Sequence, residues 1–439
     1  MKVQLVLPKI VKGYEIGFNG ILPPLGLIAI ATYLKKNIRN IDVEVLDGDI
    51  LPWKELKSRL SGDVIGINTN FGNYLNAVKI ANIAKKKGAK IIFGGPYSAA
   101  LPEIILKKHK SIDFIVRGDG EKALLSLVQG KPPELIKNIV FRNEKGDIIM
   151  NDIEELDLNK LPSPDFNFLD LKPYFHNFST CLKTEDKELP VYSGKGCFWR
   201  SIRGCLFCAI PDKTSRMKNP KKVWDEISDA RKKGATIIWI TMDDFTSNIN
   251  WIREFWKIRP KDSPALGIYS RANNISNEIA KMLSDLRCKT VFIGVESGNE
   301  KCLKALNKGV TLKQIISAVG ILAKYGIEVN PSFILGAPGE TKKSVEDTIR
   351  LIRKLVRFKN IITIEASILN PIPGSPAYTL LRNKLKDKYK NKDFVHTSLL
   401  QKEWVKTFCN VDFDYLVTAL QKIKKLSRIS FVVPKSAYK

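Results

Sequence analysis

Histidine is scarce in this chain: His109, His176 and His396 are the only three in 439 residues. None follows closely on the densest group of cysteines, which disfavours a zinc site of mixed Cys and His ligands. Cysteine is sparse as well, at seven. An odd count, with a strand-like Met1–Pro8 in place of a secretory segment, argues against a disulfide framework. Long apolar runs are missing too. The most apolar window, Gly20–Leu34, is broken by Pro23, Pro24 and Gly26, and falls short of the ~18 uninterrupted apolar residues a membrane span needs. Negative charge is in deficit, with 45 Asp+Glu against 72 Lys+Arg and a formal charge of +27. Such a balance favours anionic partners (nucleic acid, lipid headgroups, phosphorylated substrates) or reflects a Lys- and Ile-rich proteome. The densest basic run, Arg382–Lys392, reads as a solvated helix or loop. Together these bounds predict a cytoplasmic globular protein of two or three domains.

Three of the seven cysteines fall within Ser193–Cys208, as Cys197, Cys205 and Cys208, spaced Cys-x7-Cys-x2-Cys. Three thiolates with nothing else nearby suit a four-iron, four-sulfur cluster in which one iron has no protein ligand. Zinc is the competing reading, but a structural zinc site wants four closed ligands, and only Cys181 or His176, just upstream, could supply a fourth. Unliganded core cysteines are the third reading, and it is the one adopted for Cys288, Cys302 and Cys409.

Along the chain, residues 1–130 alternate apolar runs with helical patterns, as in a doubly wound parallel sheet. Strands are expected at Val3–Leu7, Val43–Leu46, Val64–Ile67, Ile91–Phe93 and Phe114–Val116. Helices are expected at Leu25–Lys36 and Tyr74–Lys87. Ligands of such sheets sit over the carboxyl ends of the strands, where this chain has Pro23-Pro-Leu-Gly26, Asn68-Thr-Asn-Phe71, Gly94-Gly-Pro-Tyr-Ser98 and Arg117-Gly-Asp-Gly-Glu121. Periodicity fades over 131–189, a linker with a hairpin turn at Asn143–Asp147 and an extended Leu161–Asp165. From 190 to 378 six βα repeats are expected, with strands at Val191–Ser193, Thr236–Thr241, Leu266–Ser270, Thr290–Gly294, Glu328–Ile334 and Ile361–Ser367. Six such units make a partial barrel with its chemistry at the carboxyl ends of the strands. Residues 379–439 read as a small helical cap, including Asp412–Leu426.

The Gly-Cys-Phe-Trp opening of the cysteine stretch and Phe207 between its last two cysteines resemble the cluster loop of radical S-adenosylmethionine (SAM) enzymes. The usual spacing there is Cys-x3-Cys-x2-Cys. The wider first gap is similar to a variant among cobalamin-dependent members, including peptide and natural-product methylases. The Pro-Pro-Leu-Gly, Gly-Gly-Pro and Arg-Gly-Asp-Gly-Glu segments resemble the cobalamin-binding domain of the same subclass. The resemblance implies an α/β chain: an N-terminal Rossmann-like cobalamin-binding domain, a partial (β/α)6 radical SAM barrel and the cap. It implies cobalamin contacts from Pro24, Leu25, Asn68, Thr69, Gly94, Gly95, Pro96, Arg117, Gly118 and Glu121. The Asp-x-His-x-x-Gly motif of other cobalamin proteins is absent, so cobalt is expected without a histidine lower ligand. A degenerate domain that keeps the fold without the cofactor is the bland alternative.

For the barrel, the resemblance assigns the cluster to Cys197, Cys205 and Cys208, and the SAM amino group to Asp243 and Asp244, which could otherwise be helix caps. It gives the ribose and carboxylate to Ser270 and Arg271, places Glu296 on the cofactor cavity, and sets adenine against the backbone at Gly336. The implied cofactors are a 4Fe–4S cluster, SAM and cobalamin. The implied reaction is reductive cleavage of SAM to a 5′-deoxyadenosyl radical and methyl transfer to an unactivated carbon. The same radical could instead cyclise, couple or rearrange a lipid or natural product, and a zinc-bearing nucleic-acid-binding protein is the alternative of another class. Expected partners are a small-molecule, peptide or lipid substrate and a low-potential electron donor. Nucleic acid is not expected.

Overall fold

The computed structural model describes residues 1–11, 22–175, 186–426 and 429–432. His176 and Cys181 lie outside the described residues. The chain forms two units, one built from the N-terminal residues to 175 together with Tyr389–Phe394, the other from residues 186–388 and those from Val395 onward.

In the first unit the parallel strands are β1 (Lys2–Leu7), β2 (Asp42–Asp47), β3 (Val64–Asn68), β4 (Lys90–Gly94) and β5 (Phe114–Val116). They are ordered β2-β1-β3-β4-β5. Val3, Leu5 and Val6 of β1 are buried, as a strand covered on both faces by crossover helices requires. The linker carries two further strands, β6 (Ile139–Arg142) and β7 (Ile148–Met150), which extend the same sheet antiparallel. They are joined through the turn at Asn143–Asp147, closed by Gly146 N–H donating to the Asn143 carbonyl at 2.9 Å. Tyr174 is buried, and its hydroxyl donates to Asp47 at 2.7 Å.

The basic run near residue 390 is not wholly solvated. Tyr389 and Asp393 are buried, and the aromatic ring of Phe394 stacks on Phe71 and Tyr74 at centroid distances of 5.7 and 6.1 Å. The Asp393 carboxylate accepts from Tyr74 Oη at 2.8 Å, from His109 Nε2 at 2.7 Å and from the Lys108 ammonium, while Tyr97 donates to the Asp393 carbonyl at 2.7 Å. Burial opposes ionisation there, but the hydrogen bonds from His109, Lys108 and Tyr74 outweigh it and hold the carboxyl well below the usual carboxylate range. A carboxyl depressed in the folded state stabilises above its unfolded value, and that stabilisation is lost as pH falls below about 4. Asp393→Asn is therefore expected to cost about 2 kcal/mol at neutral pH. That would speed amide hydrogen exchange over Tyr389–Phe394 by roughly thirtyfold, and the gap from wild type should narrow in acid.

In the second unit, β8 (Glu188–Val191) is followed by a small antiparallel pair, β9 (Gly194–Lys195) and β10 (Arg216–Met217). Then come β11 (Ile237–Ile240), β12 (Ala265–Ser270), β13 (Cys288–Glu296), β14 (Glu328–Leu335), β15 (Thr363–Ile368) and β16 (Ile429–Val432). The large sheet runs β8-β11-β12-β13-β14-β15-β16, every pair parallel. It continues one strand beyond the six expected, because β16 comes from the stretch read as purely helical. The first strand also ends two residues earlier than expected. Its helices start where the sequence offers caps: Asn219, Asn248, Ser276, Asn299, Thr311, Thr341, Ser375 and Asp412 each accept from the first-turn backbone. Inside the sheet's curve, Asn330 links Thr290 and Thr363 at 3.0 and 2.6 Å, a satisfied polar layer. Among the described residues no helix is long and apolar enough to cross a membrane.

Candidate active site

Beyond that polar layer the barrel opens into a cavity of about 450 Å³ at the carboxyl ends of its strands. Cys197, Cys205 and Cys208 line it, together with Asp243, Ser270, Arg271 and Glu296. Strand alternation explains part of the convergence: Phe292 and Gly294, Ser332 and Ile334, and Glu365 and Ser367 are each two residues apart on successive strands and line the cavity, joined by Tyr269 on β12 and Arg271 just past its end. Asp244 and Gly336 are not on the wall. Asp244 is turned to the Asn274 amide, which donates to both of its oxygens at 3.1 and 3.0 Å. Gly336 sits in the loop after β14 with φ +95°, a conformation that favours glycine.

Burial pushes the Cys208 thiol up to about 11 and raises Cys197 and Cys205 as well. A metal must displace those protons, and the positive charges of Lys308 and Arg271 beside Cys205 favour the thiolate. Among the described residues, no three His, Cys, Asp or Glu side chains converge tightly enough to hold a single metal ion. Zinc needs such convergence, with Zn–S bonds of about 2.3 Å. An iron–sulfur cube instead distributes its cysteine ligands over different irons. All three thiols line the same cavity, where together they would hold such a cube.

Glu296 and Lys308 form an ion pair at 2.7 Å with side-chain exposures of 5% and 8%. Glu296 has φ +67° at a register shift in β13, an uncommon backbone state for a non-glycine residue and the kind of strain found at functional sites. Gly294 makes room for the pair, since a Cβ there would lie 2.3 Å from Glu296 Oε1 and 2.6 Å from Lys308 Nζ. Arg271 donates to the Lys308 carbonyl and lies 4.9 Å from the Trp199 ring centroid. Two carboxyls on the wall are displaced toward neutrality. Burial and Asp212 push Asp243 up to about 6, and burial alone pushes Glu365 up to about 7.

Lys308 and Glu365 were not singled out from the sequence. Lys308 lies twelve residues past its partner in a segment without a motif. Glu365, by contrast, was accessible from the polar–apolar alternation of Thr363–Ile368. Glu340 lies in the loop after β14. Its carboxylate accepts from Gly336 N–H and from Ala337 N–H at 3.1 Å, and Trp404 Nε1 donates to the Gly336 carbonyl at 2.7 Å. That loop is thus gripped from both sides.

In the first unit, Asn68, Thr69, Gly94, Gly95, Pro96, Arg117, Gly118 and Glu121 all lie at or just beyond the ends of β3, β4 and β5, and Pro24 and Leu25 start the helix after β1. Thr69 is buried and committed within the protein, its hydroxyl meeting Ser98 Oγ and the Gly94 carbonyl at 2.8 Å each. Gly95 has φ +90°, and a Cβ there would lie 2.5 Å from the Thr69 carbonyl oxygen. Gly94 faces open space. The helices Leu25–Asn37 and Glu121–Val128 begin at these strand ends without a side-chain cap. These features fit a cofactor at the strand ends. Of the described histidines, His109 is tied to Asp393 and His396 caps the helix Thr397–Phe408.

Comparison with known proteins agrees with this division. Residues 191–352 match the Radical SAM superfamily model, and residues 13–128 match the B12 binding domain model. The chain is 28% identical over 403 residues to an uncharacterized methyltransferase of Pyrococcus horikoshii, covering 85% of this chain and 82% of that protein. It is 26% identical over 409 residues to the bacteriochlorophyllide d C-12(1)-methyltransferase of Chlorobaculum tepidum, covering 88% and 81%. In fold it resembles the radical SAM methyltransferase TsrM of Kitasatospora setae, solved with cobalamin and a [4Fe-4S] cluster, with TM-score 0.72, 19% identity and coverage of 87% and 78%.

Proposed function

We propose that this chain, a cobalamin-binding radical SAM enzyme, transfers a methyl group to an unactivated carbon of a small molecule, peptide or lipid. One observation carries the reading: three cysteine thiols, that of Cys205 buried and those of Cys197 and Cys208 half-buried, share one cavity with the Glu296–Lys308–Arg271 group at the carboxyl ends of the barrel strands. When bound, the cluster, SAM and cobalamin supply the electron, the 5′-deoxyadenosyl radical and the methyl group.

The residues of the chain bind, orient and exclude water. Cys197, Cys205 and Cys208 would hold the cluster, which would supply the electron that cleaves SAM. Arg271, with its rigid fork of donors, suits the SAM carboxylate. Glu296 and Asp243 offer acceptors to hydroxyl and ammonium groups, and Lys308 fixes the Glu296 carboxylate in place. Tyr269, Phe292 and Phe333 surround the reacting centre with apolar surface, which keeps water from a reactive species. We infer a cytosolic protein, since thiols that hold such a cluster must stay reduced, and a low-potential electron donor as its partner.

Glu365 and Ser332 are register neighbours on β15 and β14. Glu365 has no hydrogen-bond or ion-pair partner among the described residues, so it reads as the acceptor for an N–H or O–H of the methylated substrate. Glu365→Gln is expected to leave SAM cleavage with a chemical reductant within about twofold of wild type while lowering methyl transfer about tenfold, or roughly 1.4 kcal/mol. The reading as a whole is tested by anaerobic reconstitution with cluster, cobalamin and methyl-labelled SAM, followed by mass spectrometry of cell extracts. A product heavier by one labelled methyl supports it, and a rearranged product of unchanged mass overturns methyl transfer.

A further inference from the structure

The seven residues between Cys197 and Cys205 exceed what the usual three-residue gap provides, and they fold into a short helix, Phe198–Ile202. Trp199 is its inward anchor. The indole donates to the Asn307 carbonyl at 2.8 Å, stacks with Arg271 and packs on Gly309, where a Cβ would come within 2.4 Å of the ring. With Trp199 turned in, Phe198 and Ile202, one helical turn apart, face outward and are 54% and 56% exposed. Arg203 and Lys213 are exposed beside them. Residues 195–216 carry five cations (Lys195, Arg200, Arg203, Lys213 and Arg216) against the single carboxylate Asp212. Arg216 is paired with Asp212 at 2.7 Å, which leaves Arg203 and Lys213 as the exposed cations of the segment. An exposed apolar pair with cations in the same segment has the composition of a protein-docking patch, and this one begins at the residue after Cys197.

The proposed reaction takes one electron per SAM cleaved, and that electron must reach the cavity-lining thiols from outside. On the strength of that reading, we propose that Phe198, Ile202, Arg203 and Lys213 form the docking face for an acidic one-electron carrier protein of the ferredoxin class. In the transfer, the carrier's reduced iron–sulfur centre gives up one electron and is oxidised, and the cysteine-held cluster accepts it. No bond forms or breaks. The added residues of the long gap thus build a partner surface without altering the cluster ligands. Charge complementarity selects an acidic partner and speeds encounter, and the apolar pair supplies the contact that persists in salt.

The test uses the full reconstituted protein and an acidic ferredoxin immobilised for surface plasmon resonance. Wild-type affinity is expected to fall at least about tenfold between about 50 and about 300 mM salt. Arg203→Glu/Lys213→Glu and Phe198→Ser/Ile202→Ser are each expected to weaken binding about tenfold or more, with iron content unchanged. In parallel, dithionite-driven SAM cleavage should stay within about twofold of wild type while ferredoxin-driven cleavage falls about tenfold. Should the Phe198/Ile202 variant lose its cluster, the Arg203/Lys213 variant decides alone. Wild-type binding by that variant, insensitivity to salt, or a change in oligomeric state that marks the face as a contact with a second copy would overturn the proposal. Failure of wild type to cleave SAM with dithionite would instead count against the proposed function, and the binding measurement would still judge the docking face.

Discussion

Cys205→Ala is expected to abolish reductive SAM cleavage while leaving the fold in place. The thiol is small and buried at the cavity wall, and its replacement by a methyl leaves only a minor void. Two remaining cysteines cannot hold a cube that three held with one iron already free of protein. Iron and sulfide should therefore drop from about four each per chain toward background. Cleavage should fall at least about a thousandfold, equivalent to roughly 4 kcal/mol of barrier. Cys288→Ala is the control. That thiol is buried in β13 with its Sγ near the Thr290 carbonyl at 3.5 Å, away from the cavity wall, so its loss should leave cluster content unchanged. Equal loss in the two variants would mean that the cysteines act through folding, and the cluster assignment would fall.

The second large effect concerns Lys308. Its ammonium is paired with Glu296 in a nearly dry site, and removing one member of such a pair leaves an uncompensated buried charge, typically at a cost of 3–5 kcal/mol, here taken as about 4 kcal/mol. Lys308→Met should lower the unfolding free energy of the barrel by that amount. Replacing both partners with apolar residues removes the stranded charge, so Lys308→Met/Glu296→Leu should recover most of the lost stability. The double variant should still fail to bind SAM, because Glu296 is one of the cavity's acceptors. Chemical denaturation followed by tryptophan fluorescence reads the stability, and equilibrium dialysis with labelled SAM reads the binding. Recovery of both together would show that the pair is purely structural.

What the sequence made legible was local. Cys197, Cys205 and Cys208 are close in the chain, so their spacing points to a cluster beside a zinc alternative, and the family resemblance of the surrounding residues assigns the cluster. The strand before Ser270-Arg271 follows from the βα repeat, while the roles of Ser270, Arg271 and Glu296 come from the family resemblance, and the structure puts all three on the lining of one cavity. The pairings that cross the fold were hidden. Nothing near Asp244 says that Asn274 occupies its carboxylate, and nothing near Glu296 marks Lys308 as its counter-ion. Asp393 lay beside a run of lysines that looked like solvated surface, yet its carboxylate is held by Tyr74, Lys108 and His109, hundreds of residues away in sequence. The strand β16 was missed because the helical periodicity before it was extended to the end. The apolar alternation of Ile429–Val432 carried the signal for it.

The central claim is that three cysteine sulfurs hold an iron–sulfur cube whose remaining iron meets SAM in this cavity. It is tested most directly by electron–nuclear double resonance on the anaerobically reconstituted, reduced protein, with SAM isotopically labelled at its amino nitrogen. A hyperfine coupling from that nitrogen is expected in wild type and should be lost in Cys205→Ala. A cluster signal without any coupling to SAM, or one that shows four protein-derived ligands, would contradict it.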